Sequence, residues 1–149
     1  MKASSVEDVK KISGNFVSGL RSDTSATIVT LSGELGAGKT TFTQEIARQL
    51  GVTEAVTSPT FVIEKVYELE NQKWRRLIHI DAYRLKSAHE LETLGWRELI
   101  ADLGNLILLE WPERVEDLIP ENAIRIRFDI DGEGRRITIN GKQAENAED

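Results

Sequence analysis

Eight consecutive residues carry the clearest chemistry in this chain: Gly33-Glu34-Leu35-Gly36-Ala37-Gly38-Lys39-Thr40. Four residues separate Gly33 from Gly38, and lysine and threonine close the run, which is the Walker A pattern. Glycines let the backbone take positive φ and come close to phosphate oxygens, so that N–H groups at the positive end of a following helix face the anion. Lys39 would neutralise β- and γ-phosphates, and the Thr40 hydroxyl would ligate Mg²⁺. The phosphate set is Gly33, Leu35, Gly36, Ala37, Gly38, Lys39, Thr40 and Thr41. The bland reading is a glycine-rich turn that only caps a helix.

Hydrolysis or transfer also needs a carboxylate near the metal and a group that places the nucleophile. Asp81 and Glu110 each follow an apolar run, and in an open α/β sheet the carboxyl ends of the strands line the ligand crevice. Glu110, after Leu106-Ile-Leu-Leu109, is the better Walker B candidate, holding Mg²⁺ or orienting water, and Asp81 takes the other role. Each could instead cap the turn that follows it. Thr60 lies in a loop that could fold over the γ-phosphate, or it is an ordinary loop threonine. Arg84 could meet phosphate or a partner, or pair with a surface carboxylate. His79, inside an apolar strand, reads as a satisfied core histidine rather than a catalyst. Trp111 and Pro112 could wall the pocket or serve the core.

These residues need a strand, a turn and a helix in that order. Thr27–Ser32 is a β-branched run that stops at a glycine, as a buried strand should. From Thr41, Phe42, Ile46, Ala47 and Leu50 recur at helical spacing, with Gly51 as the stop. Upstream, Ser5 and Asp8 resemble a capping box, and Val6, Val9, Ile12, Phe16, Val17 and Leu20 give an amphipathic first helix. Val52–Thr60 is a loop in which Pro59 forces extended geometry on Ser58. Phe61–Leu69 and Trp74–Ile80 flank a polar connection and read as a β-hairpin. Short helices follow at Ser87–Leu94 and Trp96–Leu103, and Leu106–Leu109 is a central strand buried on both faces. Ala123–Ile130 and Arg135–Asn140 make a last hairpin through Asp131-Gly132-Glu133-Gly134.

The expected fold is α/β: one P-loop domain over residues 1–140, a mixed sheet with a parallel core, antiparallel hairpins and flanking helices. Residues 141–149 read as an acidic flexible tail. The 149 residues suit one core, and with no cysteine and no apolar run beyond about four residues, a cytoplasmic protein without a membrane span is expected. A formal charge of −6 opposes direct binding to a polyphosphate backbone.

Gly33–Thr41, Ser58-Pro-Thr-Phe61, His79-Ile-Asp-Ala-Tyr-Arg84 and Glu110-Trp-Pro112, in this order, resemble the bacterial TsaE (YjeE) family, the likeness spanning about Ser5 to Ile139. The resemblance implies an ATPase that binds ATP/ADP with Mg²⁺ and acts with a TsaB–TsaD complex. That complex places threonylcarbamoyl on tRNA, so tRNA is reached indirectly and hydrolysis resets the complex. It implies phosphate and metal roles for Lys39 and Thr40, a Walker B-like role for Glu110, an activity-linked carboxylate at Asp81 and a switch-like loop at Thr60. Arg135 sits where the family keeps an arginine in its last hairpin, which points to a nucleotide contact. A guanine-reading Asn/Thr-Lys-x-Asp motif does not occur, so adenine is favoured over guanine. The rival readings are a small-molecule P-loop kinase and a nucleotide-gated interaction module with incidental hydrolysis.

Overall fold

The computed structural model describes residues 2–3, 5–21, 25–33, 38–53, 64–132 and 134–140. In chain order the elements are β1 (Lys2–Ala3), α1 (Val6–Gly19), β2 (Thr27–Gly33), α2 (Lys39–Gln49), β3 (Glu64–Glu68), β4 (Arg76–Asp81), α3 (Ala88–Thr93), α4 (Trp96–Ala101), β5 (Asn105–Glu110), β6 (Ile124–Asp131) and β7 (Gly134–Asn140). A 3₁₀ segment, Pro112–Leu118, joins β5 to β6 and bends at Val115.

Helix α1 starts where its sequence says it should. Ser5 is extended, and its hydroxyl accepts the Asp8 N–H at 3.2 Å, while Glu7 and Asp8 in the first turn suit the positive helix end. Its apolar stripe, Val9, Phe16, Val17 and Leu20, meets Phe42, Ile46, Ala47 and Leu50 of α2 on one face of the sheet. Phe42 stands between Phe16 and Phe128, with ring centroids 5.6 and 5.3 Å away. On the opposite face Leu91, Trp96 and Val115 cover Ile28, Ile78, Ile80, Ile107 and Leu109. A sheet covered on both sides explains why Leu106–Leu109 is apolar without alternation.

The strand order is β1-β7-β6-β2-β5-β4-β3. Strands β6, β2, β5 and β4 are mutually parallel, whereas β3 and β7 pair antiparallel. After β2 the chain builds β3, β4 and β5 on one side and then crosses to β6 and β7 on the other. The crevice of such a sheet opens at the carboxyl end of β2, where the order reverses.

Several boundaries differ from the sequence expectation. Helix α2 begins at Lys39, two residues before Thr41, because Gly38 takes a left-handed φ of +105° and turns the chain directly into the helix. The last hairpin is tighter than expected. Asp131 pairs with Gly134, so only Gly132 and Glu133 connect β6 to β7, with Gly132 at φ +62°. Strand β1 and the Pro112–Leu118 segment have no counterpart in the sequence reading. The Ser58-Pro59-Thr60-Phe61 loop and the 141–149 tail lie outside the described residues.

Candidate functional site

Two glycines shape the end of β2. Gly33 has φ +128°, and a Cβ there would stand 2.0 Å from the Phe128 carbonyl oxygen on β6, so only glycine fits. Gly38 is the N-cap of α2, with no side-chain cap and no acidic residue in the first turn. The uncapped helix start and its dipole therefore suit an anion. Lys39, the first helical residue, is 5% exposed. Its Nζ donates to the Gly33 carbonyl at 2.9 Å and lies 4.1 Å from the centre of the Trp111 ring. Burial lowers the Lys39 pKa, and Glu110, Asp81 and Glu113 oppose that shift.

The carboxylates come from neighbouring parallel strands. Asp81 and Glu110 end β4 and β5 and stand directly opposite each other in the register. Alternation puts His79 on the same face, toward α1 and α2. His79 Nε2 lies 2.6 Å from Glu110 Oε2, and both side chains are buried. Asp81 Oδ1 accepts the Tyr83 N–H at 2.9 Å, so it does cap the next turn. Burial pushes the Asp81 pKa up and nearby Glu110 adds to this, while the Tyr83 N–H and Lys39 pull it back. After Glu110 the backbone turns sharply. Trp111 has φ +60°, and its N–H donates to the Leu31 carbonyl at 3.2 Å. That turn brings the Trp111 ring against Lys39 and 5.0 Å from the Tyr83 ring, over which the Arg114 guanidinium lies at 5.6 Å.

The family described as "Threonylcarbamoyl adenosine biosynthesis protein TsaE" matches residues 3–138. The chain belongs to the TsaE family. Among its relatives is the tRNA threonylcarbamoyladenosine biosynthesis protein TsaE of Borreliella burgdorferi, 39% identical over 115 residues, which are 76% of this chain and 81% of the relative. The protein of the same name from Streptomyces coelicolor is 41% identical over 120 residues, covering 76% and 79%. The crystal structure of Bacillus subtilis YdiB superposes with a TM-score of 0.78 at 28% identity, covering 99% of this chain and 92% of that one. The fold is that of a P-loop NTPase.

Within this TsaE-family site, Gly33, Gly38, Lys39, Asp81, Glu110 and Trp111 converge on the carboxyl edge of β2, β5 and β4. Thr40 is exposed and Thr41 half-buried on the first turn of α2. Leu35, Gly36, Ala37 and Thr60 lie outside the described residues. Arg135, whose Nη1 donates to the Gly134 carbonyl at 3.1 Å, begins β7 at the same edge, with β6 between it and β2. Tyr83 and Arg84 are exposed. His79 is a core histidine, as expected, though only one of its ring nitrogens is satisfied. It is buried and binds Glu110, while its Nδ1 meets no partner among the described residues. The available signal was its place two residues before Asp81 on one strand face. Arg114, stacked near Tyr83, has no mark in its sequence surroundings. Among the described residues no group of three or more His, Cys, Asp or Glu side chains could hold a metal alone, and no helix is long and apolar enough to cross a membrane.

Proposed function

We propose that this chain binds ATP with Mg²⁺ at the carboxyl edge of β2 and β5 and hydrolyses it in support of tRNA threonylcarbamoyladenosine formation. The observation that carries this reading is a buried lysine at an uncapped helix N-terminus, with two carboxylates on the adjoining strand ends. Phosphate at this position would offset the burial that lowers the Lys39 pKa, so the site favours an anionic ligand. The oxygen donors Thr40, Glu110 and Asp81 suit a cation shared with phosphates, since Mg²⁺ is usually held by one or two carboxylates plus phosphate and water. Bound Mg²⁺ would supply neutralisation of phosphate charge.

The residues divide the work as follows. The backbone of Gly36–Lys39, flanked by Gly33, Leu35 and Thr41, binds phosphates, and Lys39 stabilises the charge that develops on transfer. Thr40 and Glu110 manage the metal, and Asp81 with Thr60 orders water or the γ-phosphate. Arg135, at the same edge, is assigned a nucleotide contact on the family resemblance alone. The relatives' names place them in tRNA threonylcarbamoyladenosine biosynthesis, the family resemblance adds a TsaB–TsaD pair as partner and tRNA contact through that pair, and the cysteine-free composition adds a cytoplasmic setting.

Calorimetry with ATP, ADP and GTP, with and without Mg²⁺, together with phosphate release, tests the site. The expected result is Mg²⁺-dependent ATP binding in preference to GTP, slow release by the isolated chain, and binding weakened at least tenfold by Lys39→Ala. Equal binding by wild type and Lys39→Ala would contradict it.

A further inference from the structure

Lys39 is buried within electrostatic reach of Glu110 and Asp81, yet it forms no ion pair with either. Its Nζ is held by the Gly33 carbonyl and the Trp111 ring instead. The group that occupies Glu110 is His79. Both side chains are almost fully enclosed, 2% and 5% exposed, and a carboxylate so enclosed requires a donor. At 2.6 Å, His79 Nε2 supplies it with a short charge-assisted bond. The sheet fixes the meeting. His79 sits opposite Leu108 and Asp81 opposite Glu110, so His79 is the diagonal neighbour of Glu110 on the face that looks toward α2.

The other ring nitrogen decides which atom carries the proton. Nδ1 is buried without a partner among the described residues. A buried N–H there would lose a full hydrogen bond, whereas a lone pair is tolerated more readily. The neutral tautomer with hydrogen on Nε2 satisfies both conditions, since Nε2–H donates and the Glu110 carboxylate accepts. The proton is committed to Glu110, so this histidine does not act as a base.

We infer that His79 is a positioning residue: it holds Glu110 by Oε2, leaves Oε1 for the nucleotide site, and keeps the carboxylate from pairing with Lys39. This rests on the ATPase reading above. Without the imidazole donor, Glu110 would turn to nearby Lys39, and both groups would be withdrawn from phosphate and metal. A glutamine at position 79 can present an N–H near the place of Nε2, but a leucine cannot.

The test combines kinetics with nuclear magnetic resonance. The chain holds only two histidines, His79 and His89, so the ring signals are readily assigned. At neutral pH the His79 ring is expected in the Nε2–H tautomer with a slowly exchanging proton, and Glu110→Ala should release that proton to fast exchange. In ATP hydrolysis, His79→Leu should lower kcat at least tenfold with the KM for ATP changed less than threefold. His79→Gln should stay within about threefold of wild type. An Nδ1–H tautomer, a ring signal indifferent to Glu110→Ala, or kcat unchanged in His79→Leu would overturn the inference. So would equal losses in the leucine and glutamine variants with a matching fall in melting temperature, which mark a purely structural role. If wild type turns over no ATP, with or without partner proteins, the ATPase reading fails instead, and the ring spectrum still decides the pairing.

Discussion

Lys39 Nζ rests 4.1 Å above the centre of the Trp111 ring while it donates to the Gly33 carbonyl. This stores a buried cation on a π face and a backbone dipole. Lys39 must leave the ring to reach a phosphate, so nucleotide binding should change the surroundings of Trp111. Trp74 and Trp96 are 2% and 1% exposed in the core and report little of this movement. ATP titration should shift tryptophan emission in wild type, and the shift should vanish in Trp111→Phe and in Lys39→Met. An identical shift in all three proteins would show that the ring does not sense the lysine.

The two positive-φ glycines should differ in what they tolerate. At Gly38 a Cβ meets nothing nearer than 3.8 Å, so Gly38→Ala adds mainly left-handed backbone strain, about 1–2 kcal/mol. At Gly33 the same strain is joined by a collision with the Phe128 carbonyl, and the total should exceed about 3 kcal/mol. Urea denaturation of both variants checks the order. Equal losses would mean that β6 moves aside.

Much of this arrangement was legible in the chain. The glycine run with its lysine and threonine, the β-branched strand before it and the Leu106–Leu109 tetrad located the site's strands and helix, because each is a local pattern. What joins them was not legible. His79 and Glu110 are 31 residues apart and meet only through the β4–β5 register, which no periodicity encodes. The 3₁₀ segment after Pro112 and the left-handed Trp111 depend on the chain leaving a buried strand abruptly, a tertiary demand. Strand β1, two residues long, takes its partner from β7 at the far end of the sequence.

Asp81 gives a pH signature. Burial raises its pKa in the fold above the unfolded carboxylate value of about 3.9. The ionised form therefore weakens the fold. That loss is absent below the unfolded pKa, grows as pH rises through the folded pKa, and is complete above it. Asp81→Asn should raise the melting temperature at pH 7, and the gain should shrink toward zero below about pH 4. Thermal scans across that range check the sign. A destabilised variant at pH 7 would mean that the Asp81 charge holds the ligand-free fold together.

The most direct test is phosphate release from ATP by the chain alone, with a TsaB–TsaD pair, and with the pair plus tRNA, using Glu110→Ala as the control. The account predicts that the pair stimulates hydrolysis and that Glu110→Ala lowers it about a hundredfold or more while ATP still binds. Undiminished hydrolysis by Glu110→Ala, or ATP binding with no response to the pair, would contradict it.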